Sequence, residues 1–227
     1  MTTYSVMIPV ANFGTLALVE LAVYVLLPLF YSSPIEIGGL GFDPPIIGTY
    51  MGIFGITNGV IQVLFAARII EWLGPKLLFC WAVLWFYPLI LIFPIMSAVV
   101  AAEAKVGPIT WILIAIQLLL MALMELSYSE FEQLSRQCLN LSWLSGVITM
   151  FTTRAAPNKQ SLGSTNGLTL SLAAIARAIA PAMTTSLFAF SKEYNVLGGN
   201  LVYVILAILV TVLVLLSRRL PDRIDEE

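Results

Sequence analysis

Six apolar runs, each close to the length of a bilayer-crossing helix, dominate this chain: Phe13–Phe30, Ile46–Ala67, Leu77–Met96, Ile109–Leu126, Leu168–Phe190 and Leu201–Leu216. A spanning helix needs about 20 mostly apolar residues, within a range of about 17–25. None of the runs alternates apolar and polar residues as a barrel strand must, so they read as helices. The expected fold class is therefore all-α: a multi-pass transmembrane helical bundle of six spans. Composition agrees. The chain is 59 % apolar and only 11 % charged, where soluble domains carry about 45–50 % and about a quarter. A soluble fold needs a polar shell that these residues cannot supply, so the lipid bilayer is the expected surrounding. The first run is full length and has no basic region before it, which reads as a span and not as a cleaved signal peptide.

Several chemistries are excluded early. With no His in 227 residues, a Ser-His-Asp or Cys-His engine and an imidazole-bound metal are both ruled out. Cys80 and Cys138 form no CxxC pair and no evident disulfide framework. A net charge of -2 offers nothing to nucleic acid, and no GxxxxGK[ST] phosphate loop is present. The expectation is no enzyme, no metal and no cofactor.

Lys and Arg set the orientation. Arg68 and Lys76 lie between the second and third runs, Arg154 and Lys159 between the fourth and fifth, and Arg218, Arg219 and Arg223 after the sixth. The alternate connections are poor: 31–45 has no basic residue, and the other two offer only Lys105 and Lys192. Both termini are expected in the cytoplasm, with the plasma membrane and the vacuolar membrane equally compatible.

The segment 129–145 (SEFEQLSRQCLNLSWLS) interrupts this order. It turns polar as the fourth run ends, and without it Ile109–Ser127 would join Val147–Phe151 as one helix ending at Arg154. Two readings stay open: a retained intron translated in frame, and a genuine amphipathic cytoplasmic loop. Codons AGT-GAG for Ser129-Glu130 would contain the splice signal GTGAG. The mature transcript distinguishes the two.

Charges inside lipid mark function, because each central one costs about 2.5–3.5 kcal/mol on insertion scales. Glu20, Glu125 and Arg177 fall within the runs. A base and two acids that must face protein or water suggest an ion pair or a proton path, set against a structural pair that never titrates. Asn58 and Gln62 lie four apart on one helix face and could share a cavity with Gln117, although interhelical hydrogen bonding is the blander fate of such amides. The pairs Gly48/Gly52 and Gly55/Gly59 make GxxxG steps that admit a close helix neighbour. Pro28, Pro88, Pro94 and Pro181 break backbone ladders within the runs.

Four strings, LLPLFYSSPIEIGGLGFDPPIIGTYMG, ARIIEWLGPK, RAAPNKQSLGSTNGLTLS and ARAIAPAMTTSLFAFS, occur in order along the chain. Together they resemble the major facilitator superfamily, most nearly its fungal drug:proton antiporters and zinc-induced-facilitator-like members. The resemblance covers the C-terminal six-helix half of a twelve-helix fold. It implies a secondary transporter: two bundles rock about a midplane site while a proton gradient drives a small molecule across. ARIIEWLGPK resembles the cytoplasmic gating loop, with Arg68 and Glu71 as its charged latch. Glu20, Arg177, Asn58, Gln62, Gln117 and Glu125 become candidates for the substrate and proton pathway. The implied partners are a small-molecule substrate, protons and a second six-helix half, the half that carries the stronger loop motif and the best-known coupling acids. A truncated gene model, a split transporter and an inactive fragment all fit half a clamp. The rival is a non-transporting membrane scaffold. An oligomeric channel would need a filter or a repeated polar stripe that the sequence does not show.

Overall fold

Proline marks where the helices begin. The computed structural model describes residues 4–73, 75–103, 105–138 and 162–218, with side chains for most of them. The helices are α1 (Tyr4–Ser32), α2 (Pro44–Leu73), α3 (Pro75–Glu103), α4 (Pro108–Cys138), α5 (Leu162–Glu193) and α6 (Leu201–Ser217). Three of them start on proline, whose fixed φ suits the first turn and whose missing N–H would have been unpaired there anyway. Among the described residues there is no strand, and each of the six apolar runs falls inside one helix. Four helical stretches are long and apolar enough to cross a membrane: Met7–Ser32, Cys80–Glu103, Pro108–Glu125 and Gly167–Glu193. α6 is a shorter apolar helix. With large apolar side chains such as Ile56, Leu64, Leu91, Ile112 and Ile208 exposed on the outside, the chain is a multi-pass membrane protein surrounded by hydrocarbon.

α4 carries its helix well past the apolar run, to Cys138, so the first part of the polar segment 129–145 continues that helix. Residues 139–145 lie outside the described residues. The prolines inside the runs do not end the helices: Pro28 lies within α1, Pro88 and Pro94 within α3, and Pro181 within α5. Pro181 deprives the Arg177 carbonyl of its i+4 backbone donor, and one turn on the Thr185 hydroxyl donates to the Pro181 carbonyl at 2.8 Å.

α1 is the spine. It packs along α5 and α6 and touches α2, while α3 joins α4 to α6 and α2 lies against α4. Leu16, Val19, Val23, Leu26, Leu27 and Phe30 of α1 are buried. The Phe30 ring meets Phe93 edge-on at 5.2 Å, and Phe93 stacks on Tyr203 at 5.6 Å, which ties α1, α3 and α6 together. The Tyr87 and Thr211 hydroxyls, 2.9 Å apart, add a polar link between α3 and α6.

One end of the bundle, here called upper, carries the connections 33–43, 104–107 and 194–200. The first folds back onto α1: the Leu40 N–H donates to the Phe30 carbonyl and the Phe42 N–H to the Tyr31 carbonyl, pairing groups the helix end leaves open. Gly38 turns this loop at φ +83°. A Cβ there would stand 2.6 Å from Ser97 Oγ and 2.9 Å from Lys192 Nζ. Gly38→Ala should therefore lower stability by at least about 1–2 kcal/mol, the cost of left-handed backbone alone, seen as a reduced Tm in detergent. Gly48→Ala is the control: its added Cβ meets nothing within 4 Å, so its Tm should hold or rise.

Candidate functional site

Glu20 lies near the middle of α1 and Arg177 near the middle of α5, the helix packed most closely along α1. Arg177 Nη2 stands 3.8 Å from Glu20 Oε2, with the Glu20 side chain 18 % exposed and that of Arg177 48 % exposed. On the neighbouring pair of helices, the Asn58 amide of α2 donates to Glu125 Oε2 of α4. Residues from four helices thus form two polar pairs, Arg177 with Glu20 and Asn58 with Glu125.

The four lie at a common depth. From the upper helix ends they are 12 (Glu20), 14 (Asn58), 17 (Glu125) and 16 (Arg177) residues in, or roughly 18–26 Å at ~1.5 Å per residue. Against a hydrocarbon core of about 30 Å, Glu20 and Arg177 fall well inside their candidate spans, whereas Glu125 is the last residue of its own, Pro108–Glu125.

Above this cluster the same helix faces continue. Tyr31, eleven residues or about three turns beyond Glu20 on α1, donates its hydroxyl to Gln117 Oε1 of α4 at 2.9 Å. Higher still, Phe42 stacks on Trp111 at 5.3 Å and on Tyr50 at 6.4 Å, and Tyr31 meets Phe42 edge-on. Trp111, Gln117 and Glu125 lie at successively lower levels of α4. An aromatic cap, a buried amide and a carboxylate therefore share one seam between α1, α2 and α4. Along it, Gln117 Nε2 and Asn58 Oδ1 are buried without a hydrogen-bond partner.

Of the residues singled out from sequence, Glu20, Arg177, Asn58, Glu125 and Gln117 converge on this seam. Gln62, Arg68 and Glu71 lie in the lower half of α2, but their side chains fall outside the described residues. Two polar residues escaped sequence reading: Asn12, fully buried with neither side-chain atom partnered, and Tyr31. Each stands one position outside the apolar run Phe13–Phe30. The expectation that Gly48, Gly52, Gly55 and Gly59 admit a close helix neighbour meets a plain geometry: a Cβ on any of them touches nothing within 4 Å. No described helix of this chain covers that face of α2. A second small-residue face, Gly167, Ser171, Ala174 and Ala178 on α5, is also exposed. Among the described residues no group of three His, Cys, Asp or Glu side chains could hold a metal ion.

Two curated proteins resemble this chain along most of its length. It is 27 % identical over 204 residues to the efflux pump azaK of Aspergillus niger, covering 88 % of this chain and 38 % of that protein. It is 25 % identical over 178 residues to the major facilitator-type transporter psiT2 of Psilocybe cyanescens, covering 78 % of this chain and 32 % of that protein. The chain is thus similar to part of two fungal transporters, one of them named as of the major facilitator type. It spans less than two fifths of the length of either relative, and both relatives carry the names of transporters, not enzymes. No family model and no solved structure matches it.

Proposed function

We propose that this chain is a six-span half of a proton-coupled, major-facilitator-type secondary transporter that moves a small molecule across its membrane, with both termini cytoplasmic. One observation carries the reading: two polar pairs drawn from four helices, Arg177 with Glu20 and Asn58 with Glu125, sit within the apolar bundle. Three ionisable groups held there are expensive, and a pathway for protons and polar cargo explains why they are kept. The buried, unpartnered Gln117 Nε2 and Asn58 Oδ1 give a cargo or a water something to bind along the seam. Arg68 and Glu71 act as a latch at the lower end of α2, and Gln62, one turn below Asn58 on that helix, contacts the cargo.

A second six-helix bundle, on the same polypeptide or another, covers the open faces of α2 and α5. The half-exposed Arg177 supports this. A guanidinium left against lipid would cost several kcal/mol, and a second bundle supplies the opposite wall of an aqueous cavity.

The test is gradient-driven uptake into proteoliposomes holding both bundles, with a panel of neutral and cationic fluorescent organic solutes as probes. Accumulation of at least one probe should follow an imposed pH gradient, and Glu20→Gln should reduce it to the level of protein-free vesicles. Pumping with unchanged pH dependence in that variant would remove Glu20 from coupling. No gradient-driven accumulation of any probe would count against the transport reading.

A further inference from the structure

We propose that the exchangeable proton of this bundle resides on Glu125, positioned by Asn58, while Glu20 stays ionised as the counter-ion of Arg177. The proposal rests on the proton-coupled reading above and assigns its two acids different roles.

The partners of the two carboxyl groups differ in kind. Arg177 can only donate hydrogen bonds and carries a permanent positive charge, so it matches an ionised carboxylate. Asn58 is neutral and offers both a donor and an acceptor. Its Nδ2 already donates to Glu125 Oε2, whereas its Oδ1 is buried with no partner. An ionised Glu125 can only accept, and leaves that oxygen unmatched. A protonated Glu125 can donate its O–H to Oδ1 while still accepting from Nδ2, pairing acid and amide in both directions.

Charge counting points the same way. Glu20 and Arg177 sum to zero, so an ionised Glu125 leaves the two pairs with a net charge of −1 between the helices, and a protonated one leaves them neutral. Among the described side chains few other charges bear on Glu125. α4 packs on α2 and α3; α3 carries Glu103 at its upper end beside Gly107 and Lys76 at its lower end, and α4 itself carries Glu130, Glu132 and Arg136 a turn or more below Glu125. On α2, Arg68 and Glu71 lie about three turns or more below Asn58. In the step itself a hydronium ion on one side breaks one O–H bond and becomes water as the O–H of Glu125 forms; on the other side that O–H breaks and a water takes the proton to become hydronium.

The test is infrared difference spectroscopy on the purified chain in lipid nanodiscs, stepped between acid and alkaline pH. A protonated-carboxyl C=O band should appear on acidification, be lost in Glu125→Gln and survive in Glu20→Gln/Arg177→Leu, which removes the ion pair without changing the net charge. In Asn58→Ala it should move to higher wavenumber, because the carbonyl loses a hydrogen bond. Should Glu125→Gln fail to fold, Glu125→Asp keeps a carboxyl group and should shift the band. A band that survives Glu125→Gln, disappears in Glu20→Gln/Arg177→Leu or is unmoved in Glu125→Asp overturns the assignment, as does the absence of any titrating band. A band on Glu125 without gradient-driven transport would leave the assignment standing and sink the transport reading.

Discussion

Arg177→Leu should cripple the folded bundle, and a second change should rescue its stability without rescuing its function. The guanidinium is the positive charge set against Glu20, at 3.8 Å. Removing it leaves an acid at lipid depth with only 18 % of its side chain exposed, at an expected cost of about 2.5–3.5 kcal/mol, the penalty for a lone central charge. That corresponds to a population of unfolded or misassembled protein roughly a hundredfold larger, since about 1.4 kcal/mol is tenfold. The double variant Glu20→Gln/Arg177→Leu removes both charges and should recover most of the loss in Tm and in yield from the membrane. Gradient-driven uptake should be absent from both. Equal stability of the single and double variants would mean that the ion pair contributes no coupling energy.

The second large effect concerns the open face of α2. Gly52→Leu and Gly55→Leu should leave the isolated bundle as stable as before, because nothing of this chain stands within 4 Å of an added Cβ at either site. Helix propensity would even favour the change, by about 1 kcal/mol. Association with the second bundle should suffer instead. Forcing leucine into a backbone-to-backbone contact costs typically about 1–3 kcal/mol, which weakens binding on the order of ten- to a hundredfold. Co-purification and energy transfer between labelled bundles would measure it. Unweakened association would place the second bundle on some other face.

Much of this arrangement was legible in the residues. Hydrophobic length alone pointed to the six described α-helices, because lipid forces the backbone to pair within itself and so each long apolar run must coil. The same physics exposed the site: in a medium where each central charge is costly, Glu20, Glu125 and Arg177 stood out without structural help. What the residues did not disclose was adjacency. That Glu20 meets Arg177, and Asn58 meets Glu125, depends on α1 lying along α5 and α2 along α4, which periodicity within single helices does not encode. The aromatic cap is the extreme case, since Phe42, Tyr50 and Trp111 come from a loop and two helices.

Helix ends and the ends of apolar runs differ for a separate reason. Trimming the first run at its apolar ends discarded Asn12 and Tyr31, the flanking polar residues that the bundle buries. Hydropathy also stopped the fourth run at Leu126, whereas α4 continues to Cys138. A span ends where lipid ends, but a helix ends at a breaker. Between Ser127 and Cys138 there is neither Gly nor Pro, and Glu130, Glu132, Gln133, Leu134 and Arg136 are good helix formers.

The account turns on mid-membrane charges that a second bundle shields. Spin labels at Gly55→Cys and Ala174→Cys, in a chain whose native Cys80 and Cys138 are replaced by serine, address this by collision with oxygen, which partitions into lipid, and with a water-soluble nickel chelate. In bilayers holding this chain alone, both labels should collide freely with oxygen; adding the second bundle should shield them from it. Labels that collide chiefly with the chelate when the chain is alone, or whose oxygen collisions are the same with and without the second bundle, would contradict the account.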